Sequence, residues 1–225
     1  MAAALNERER DPLAVWPSPR ATTILAVVLL LGSLLLTVSA LLHPLLPLTA
    51  SGDLAMIEST PYWRAIHIAL LYGTGMIMVG IWARWCSAER GERPGLAISF
   101  FLLGVGHALN GVNIAYMTGA GTLFARLAAG GADVAGVYQA THLFAVACGR
   151  LGGFLVSAAA GLIALTTGSR QDEPRWLISV ATVACIAGLL GNIFATPGNP
   201  LMLTGIGIMA LWQIVTAGRI LRAQR

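Results

Sequence analysis

The stretch Tyr138–Gly161, YQATHLFAVACGRLGGFLVSAAAG, decides the fold of this chain. It is long and apolar enough to form one membrane-crossing helix, since a crossing takes about 20 residues. Small residues recur along it every four positions, at Ala145, Gly149, Gly153, Ser157 and Gly161. Such a ladder lets neighbouring helix backbones approach closely inside a bilayer. The stretch therefore predicts a helix packed among other membrane helices.

Two polar side chains, His142 and Arg150, lie within the same stretch. An arginine in the bilayer core is costly, so it is expected to face other protein, water or a ligand. None of the apolar runs contains an aspartate or glutamate. The expected partners of Arg150 are therefore an anionic ligand such as a haem propionate, an anionic lipid, a partner subunit, or backbone carbonyls together with Asn110.

The composition excludes an ordinary soluble domain. Hydrophobic residues make up 56% of the chain and charged residues 11%, whereas charged residues make up about 25% of soluble proteins. All 14 basic residues are arginines, and they fall in short clusters between apolar runs rather than in a patch. This distribution is typical of membrane topology and predicts no nucleic-acid partner.

Five further apolar runs flank the central stretch. The six runs are 21–42, 63–85, 95–117, 138–164, 175–195 and 201–218. They predict an all-α, polytopic bundle of six transmembrane helices over residues 21–218, with the lipid bilayer as its surroundings. Two short helices are predicted between runs, one beginning near Ser51-Gly52-Asp53 and one over 121–129, before the Gly130-Gly131 break.

The arginines predict the orientation. If the N-terminus is inside, eleven arginines lie on the inner side and only Arg64 and Arg126 on the outer side. The positive-inside rule therefore places both termini in the cytoplasm. This predicts a cytoplasmic arm over 1–20, a cytoplasmic tail over 219–225, and a multi-pass protein of the bacterial cytoplasmic (inner) membrane.

The four histidines are predicted to lie in the outer half of the membrane or at its centre. His43 ends the first run, and His67 and His142 each lie four residues, roughly 6 Å, inside an aromatic residue at the outer interface. His107 is nine residues before Tyr116, so it lies roughly 14 Å deep. Asn110 follows His107 by three residues, on the same helix face.

These residues are compatible with three different functions. The first is electron transfer by a b-type haem between a quinone-like donor and an outer acceptor, with His67 and His142 as axial ligands. The second is a zinc or copper site formed by His43, His67 and His142. The third is non-catalytic: a subunit of a membrane complex or a homo-oligomer, or a binder of a lipid or hydrophobic anion through Arg150. The residues leave open whether the protein is an enzyme.

The histidine pattern resembles that of six-helix di-haem cytochromes b, which carry histidines on helices two and four for one haem and on helices three and five for the other. His67 and His142 match the first pair, and His107 matches half of the second. The fifth run has no histidine, so the resemblance implies one haem. His43-Pro44 and the Trp63-to-His67 spacing also resemble uncharacterised six-helix bacterial membrane proteins, a likeness that implies no activity.

Overall fold

The structure is a computed structural model that describes residues 18–47, 49–88, 93–168, 174–195 and 201–224, with only the backbone of 201–203. Its helices are α1 (Pro19–Leu42), α2 (Ala50–Ser59), α3 (Trp63–Gly80), α4 (Trp82–Cys86), α5 (Arg93–Tyr116), α6 (Thr122–Ala129), α7 (Ala135–Thr167), α8 (Arg175–Phe194) and α9 (Leu201–Ala223). A π-helical turn, Met117–Gly121, joins α5 to α6.

The predicted six-span, all-α architecture is confirmed. Within the described residues, six helices are long and apolar enough to cross a membrane. Their ranges are Pro19–Leu42, Trp63–Cys86, Arg93–Ala129, Ala135–Thr167, Arg175–Phe194 and Thr204–Ala223. Large apolar side chains such as Phe101, Leu165 and Phe194 are exposed on these spans, where lipid would cover them. The chain is therefore a multi-pass membrane protein, and its orientation stays a prediction.

The element boundaries differ from the prediction in two places. The third span does not stop at residue 117 but runs through the π-helical turn to Ala129 as one 37-residue helix. The last span continues to Ala223, so the predicted tail 219–225 begins as helix. Most of the predicted arm 1–20, the loop 196–200 and Arg225 lie outside the described residues.

Glycines bring the spans together, as the small-residue ladder predicts. A Cβ added at Gly153 would lie 2.5 Å from Oδ1 of Asn192 on α8, and one at Gly161 would lie 2.8 Å from Sγ of Cys185. On the other side of α7, a Cβ at Gly152 would lie 2.5 Å from the Gly106 carbonyl oxygen on α5. Because these positions carry no side chain, α7 packs directly against both α5 and α8.

The spans form a closed ring in the order α1, α3, α5, α7, α8, α9 and back to α1. Ser33 on α1 donates a buried hydrogen bond of 3.1 Å to Oε1 of Gln213 on α9, which ties the first span to the last. The apolar core, which includes Leu29, Leu103 and Ile163, fills part of the ring.

The short helices α2 and α6 pack against each other across one end of the ring, which we call the capped end. Leu54 and Ile57 of α2 are buried there together with Ala125 of α6, Trp63 of α3 and Tyr138 of α7. The Trp63 indole N–H donates to the Met117 carbonyl at 3.2 Å. The arginine count predicts that the capped end faces away from the cytoplasm.

Candidate functional site

A cavity of about 500 Å³ lies inside the ring and extends towards the capped end. All four histidines line it, and so do Asp53, Asn110, Asn113, Tyr138 and Asn192. Apolar side chains such as Leu36, Leu70 and Ile114 form other parts of its wall. The cavity therefore gathers all four histidines of the chain and three asparagines of the spans.

A row of unsatisfied polar atoms runs along the α5 wall of this cavity. Nε2 of His107, Nδ2 of Asn110 and Oδ1 of Asn113 are buried and have no hydrogen-bond partner within the described residues. The three residues are spaced by three positions, which keeps them near one face of the helix with a rise of about 4.5 Å per step. A buried polar group without a partner costs about 1–3 kcal/mol, so the row is expected to meet water or a ligand.

His43 and His67 form a direct pair at the capped end of the cavity. Their Nε2 atoms are 3.2 Å apart, and Nδ1 of His67 donates to the Trp63 carbonyl at 2.8 Å. His67 is 2% exposed, and its ring packs at a tilt against Trp63 with the centroids 4.2 Å apart. Burial lowers the pKa of His43 and outweighs a backbone hydrogen bond at Pro44 that raises it. We therefore describe His43 as a neutral imidazole at pH 7.

His142 instead contacts Asp53, an acidic residue of α2, which is not one of the membrane-spanning helices. Its Nδ1 is 3.6 Å from Oδ2 of Asp53 on α2, and the Tyr138 hydroxyl donates to the same oxygen at 3.4 Å. Burial raises the pKa of Asp53 to about 6, although the Tyr138 hydrogen bond acts in the opposite direction. The Tyr116 ring stacks on His142 with the centroids 6.0 Å apart. The contacts of Asp53 with His142 and Tyr138 hold α2 against α7.

Arg150 is not among the cavity-lining residues. Its Nε and Nη2 both donate to the Asn192 carbonyl, at 3.1 and 3.0 Å, and Nη2 also donates to the carbonyls of Ile193 and Ala195. Asn192 and Ile193 belong to the last turn of α8, and Ala195 is its C-cap residue. The carbonyls at this end of the helix have no following turn whose N–H groups could donate to them. The carbonyl partners expected for Arg150 are therefore present, whereas the expected contact with Asn110 is not among its hydrogen bonds.

The structure brings together only some of the histidines that the metal hypothesis groups. His43 pairs with His67, whereas His142 pairs with Asp53. Within the described ranges, no set of three or more His, Cys, Asp or Glu side chains is arranged to hold a metal ion. The three-histidine site and the haem site stay predictions.

Sequence reasoning missed Asp53 as part of the site because it considered acids only within the apolar runs. Asp53, Leu54 and Ile57 share the buried face of α2, since they stand at positions i, i+1 and i+4. The helical period of this segment is therefore the signal that could have placed the carboxyl inside. The role of Asn192, whose backbone carbonyl accepts from Arg150, has no signal in the sequence.

Comparison with known proteins adds no relative. Neither a protein-family model, nor a curated protein, nor a solved structure matches this chain.

Proposed function

We propose that this membrane protein binds a quinone or its quinol in the cavity, with His107 and Asn110 as the polar contacts. The observation that carries the proposal is the row of buried, unpartnered polar atoms on the α5 wall. Among the described residues none of these atoms has a hydrogen-bond partner, and the three residues that carry them line the cavity.

The chemistry of the row suits a carbonyl-bearing hydrophobic molecule. The Asn110 amide N–H and an imidazole N–H of His107 can donate to a quinone oxygen, and Oδ1 of Asn113 can accept from a quinol hydroxyl. Asp53 adds a second unpartnered acceptor, its Oδ1. The same wall can therefore hold either redox form of the ligand.

The size and place of the cavity also support a lipid-soluble ligand. A volume of about 500 Å³ falls within the range of about 300–1,000 Å³ that small-molecule pockets occupy. The walls outside the row include Leu36, Leu70 and Ile114, which suit an apolar ring and the start of an apolar tail. Because the cavity lies among membrane-spanning helices, such a ligand can reach it from the lipid.

Binding of decylubiquinone to the purified protein in mild detergent tests the proposal, with quenching of tryptophan fluorescence as the readout. Trp63 packs against the cavity-lining His67, so a bound quinone is expected to quench its fluorescence. We expect Asn110→Leu and His107→Leu each to weaken binding about tenfold, because each variant loses a hydrogen bond of about 1 kcal/mol or more.

Two controls make this test specific. Gly75→Ala is expected to bind like the wild type, because none of the described atoms lies within 4 Å of a Cβ there. Decylbenzene lacks carbonyls and does not quench tryptophan, so it is measured by its competition with decylubiquinone. It is expected to compete with the same inhibition constant on the wild type and on Asn110→Leu. If decylubiquinone does not bind, or if it binds Asn110→Leu and His107→Leu as well as the wild type, the row holds only water and the proposal is wrong.

A b-type haem on His67 and His142 is the second candidate. The observation in its favour is that both imidazoles line one cavity and both have Nδ1 next to an oxygen, the Trp63 carbonyl for His67 and the Asp53 carboxyl for His142. This arrangement leaves Nε2 as the nitrogen for iron. A haem there would supply one-electron transfer, and His43 would have to leave its place beside Nε2 of His67.

A reduced-minus-oxidised absorption spectrum tests the haem. If haem binds, the wild type shows Soret and α bands, His67→Ala and His142→Ala lose them, and His43→Ala keeps them, because the ring that blocks the iron position has been removed. A wild-type protein produced with ample haem that shows neither band would exclude this candidate.

A further inference from the structure

The His43–His67 pair, which the quinone proposal does not use, brings together two imidazole nitrogens from α3 and from the end of α1. Nδ1 of His67 donates to the Trp63 carbonyl, so its Nε2 carries a lone pair, and this atom lies 3.2 Å from Nε2 of His43. A neutral His43 presents there either an N–H, which donates to His67, or a second lone pair, depending on its tautomer.

In the tautomer of His43 that presents a lone pair, the two Nε2 atoms can share a cation that lies between them. The separation suits a metal ion, because two nitrogens bound tetrahedrally to zinc at about 2.0–2.1 Å are about 3.3 Å apart. Metal-bound histidines usually donate the other ring N–H to a carbonyl or carboxylate, which fixes the tautomer and the orientation of the ring. His67 has such an acceptor, the Trp63 carbonyl.

We propose that His43 and His67 bind a divalent transition-metal ion such as Zn²⁺ between their Nε2 atoms, at the capped end of the cavity. His142 takes no part, because its Nδ1 faces Asp53 and it is not grouped with the pair. The two imidazoles fill half of a tetrahedron, and the other two positions open on the cavity for water or another small ligand. An ion held in this way exchanges more readily than one in a closed four-ligand structural site.

The local structure holds both rings in position for this role. His43 follows the last turn of α1, and its backbone N–H donates to the Ala40 carbonyl at 3.3 Å, while Pro44 restricts the backbone that follows. Nδ1 of His67 donates to the carbonyl of Trp63, one turn earlier on α3, and the His67 ring packs against the Trp63 indole. The two ligands therefore come from different spans, and the ion links α1 to α3.

Zinc binding by equilibrium dialysis tests the proposal. The protein is purified in mild detergent with a tag that contains no histidine, stripped with a chelator, and dialysed against buffered Zn²⁺ before elemental analysis. We expect about one Zn²⁺ per chain for the wild type and for the matched control His142→Ala. We expect His43→Gln and His67→Gln to lose at least about tenfold in zinc affinity.

His43→Gln separates the loss of metal binding from the loss of structure. Its amide N–H can replace the imidazole N–H as donor to His67, so the fold is retained, but an amide is a poor zinc ligand. The proposal is overturned if the wild type binds no zinc, if His43→Gln binds it unchanged, or if His142→Ala loses it as fully as His67→Gln does. Decylubiquinone binding by the stripped protein is measured separately and depends on Asn110, so either proposal can fail alone.

Discussion

Gly80→Ala is expected to destabilise the protein by about 3 kcal/mol, the upper part of the range for overpacking a close contact. Gly80 lies where α3 crosses α1, and a Cβ there would overlap the Leu29 backbone nitrogen and lie 2.5 Å from its Cα. The obstacle is main chain rather than the end of a flexible side chain, so the two helices must move apart. Unfolding in mixed micelles with increasing SDS, followed by circular dichroism, measures the change.

Gly75→Ala is the matched control because it changes the same residue type on the same helix. No atom of the described part of the chain lies within 4 Å of a Cβ at position 75. Alanine has the higher helix propensity, so this variant is expected to be unchanged or more stable by about 0.5–1 kcal/mol. If Gly80→Ala and Gly75→Ala unfolded at the same SDS concentration, the contact between α1 and α3 at Gly80 would be less close than the structure shows.

Arg150→Met is expected to cost about 3 kcal/mol in the same unfolding measurement. Four hydrogen bonds from the guanidinium reach three carbonyls at the C-terminal end of α8, and hydrogen bonds to charged groups contribute about 1.5–3 kcal/mol each. Placing an arginine in the membrane costs about 2.5–3.5 kcal/mol, which offsets only part of this gain. Methionine fills similar space but leaves the carbonyls without their donor.

Arg150→Lys is expected to fall between methionine and the wild type, because one ammonium cannot reach all three carbonyls with the geometry of a guanidinium. Arg150→Met protein that remains folded is expected to bind decylubiquinone normally, since Arg150 does not line the cavity. If the methionine variant were as stable as the wild type but lost an anionic ligand, Arg150 would be a ligand-binding residue after all.

The sequence predicted the six spans because each depends on a local property, the length of an apolar run. It also predicted the small-residue contacts of Gly153 and Gly161, because a four-residue period can be seen along one helix. The join between α5 and α6 was missed, because the apolar run ends at residue 117 whereas the chain continues into α6 through a π-helical turn.

The site was harder to predict because its contacts join distant segments. Matched depth placed His67 and His142 at the same level of the bundle, but depth does not specify which way each ring turns. The structure turns His67 towards His43 and His142 towards Asp53. The pairing of His142 with Asp53 depends on where α2 lies, and α2 is held by tertiary packing and does not belong to a span.

The π-helical turn Met117–Gly121 has a consequence for the register of the chain beyond it. Such a turn holds about one residue more than an α-helical turn, so each later side chain is rotated by roughly 100° about the axis compared with an uninterrupted α-helix. In the resulting register Ala125 is buried beneath α2, while Leu123 and Leu127 are exposed. The extra residue thus decides which side of α6 meets the bundle, and a chain one residue shorter here would present a different strip of the helix to α2.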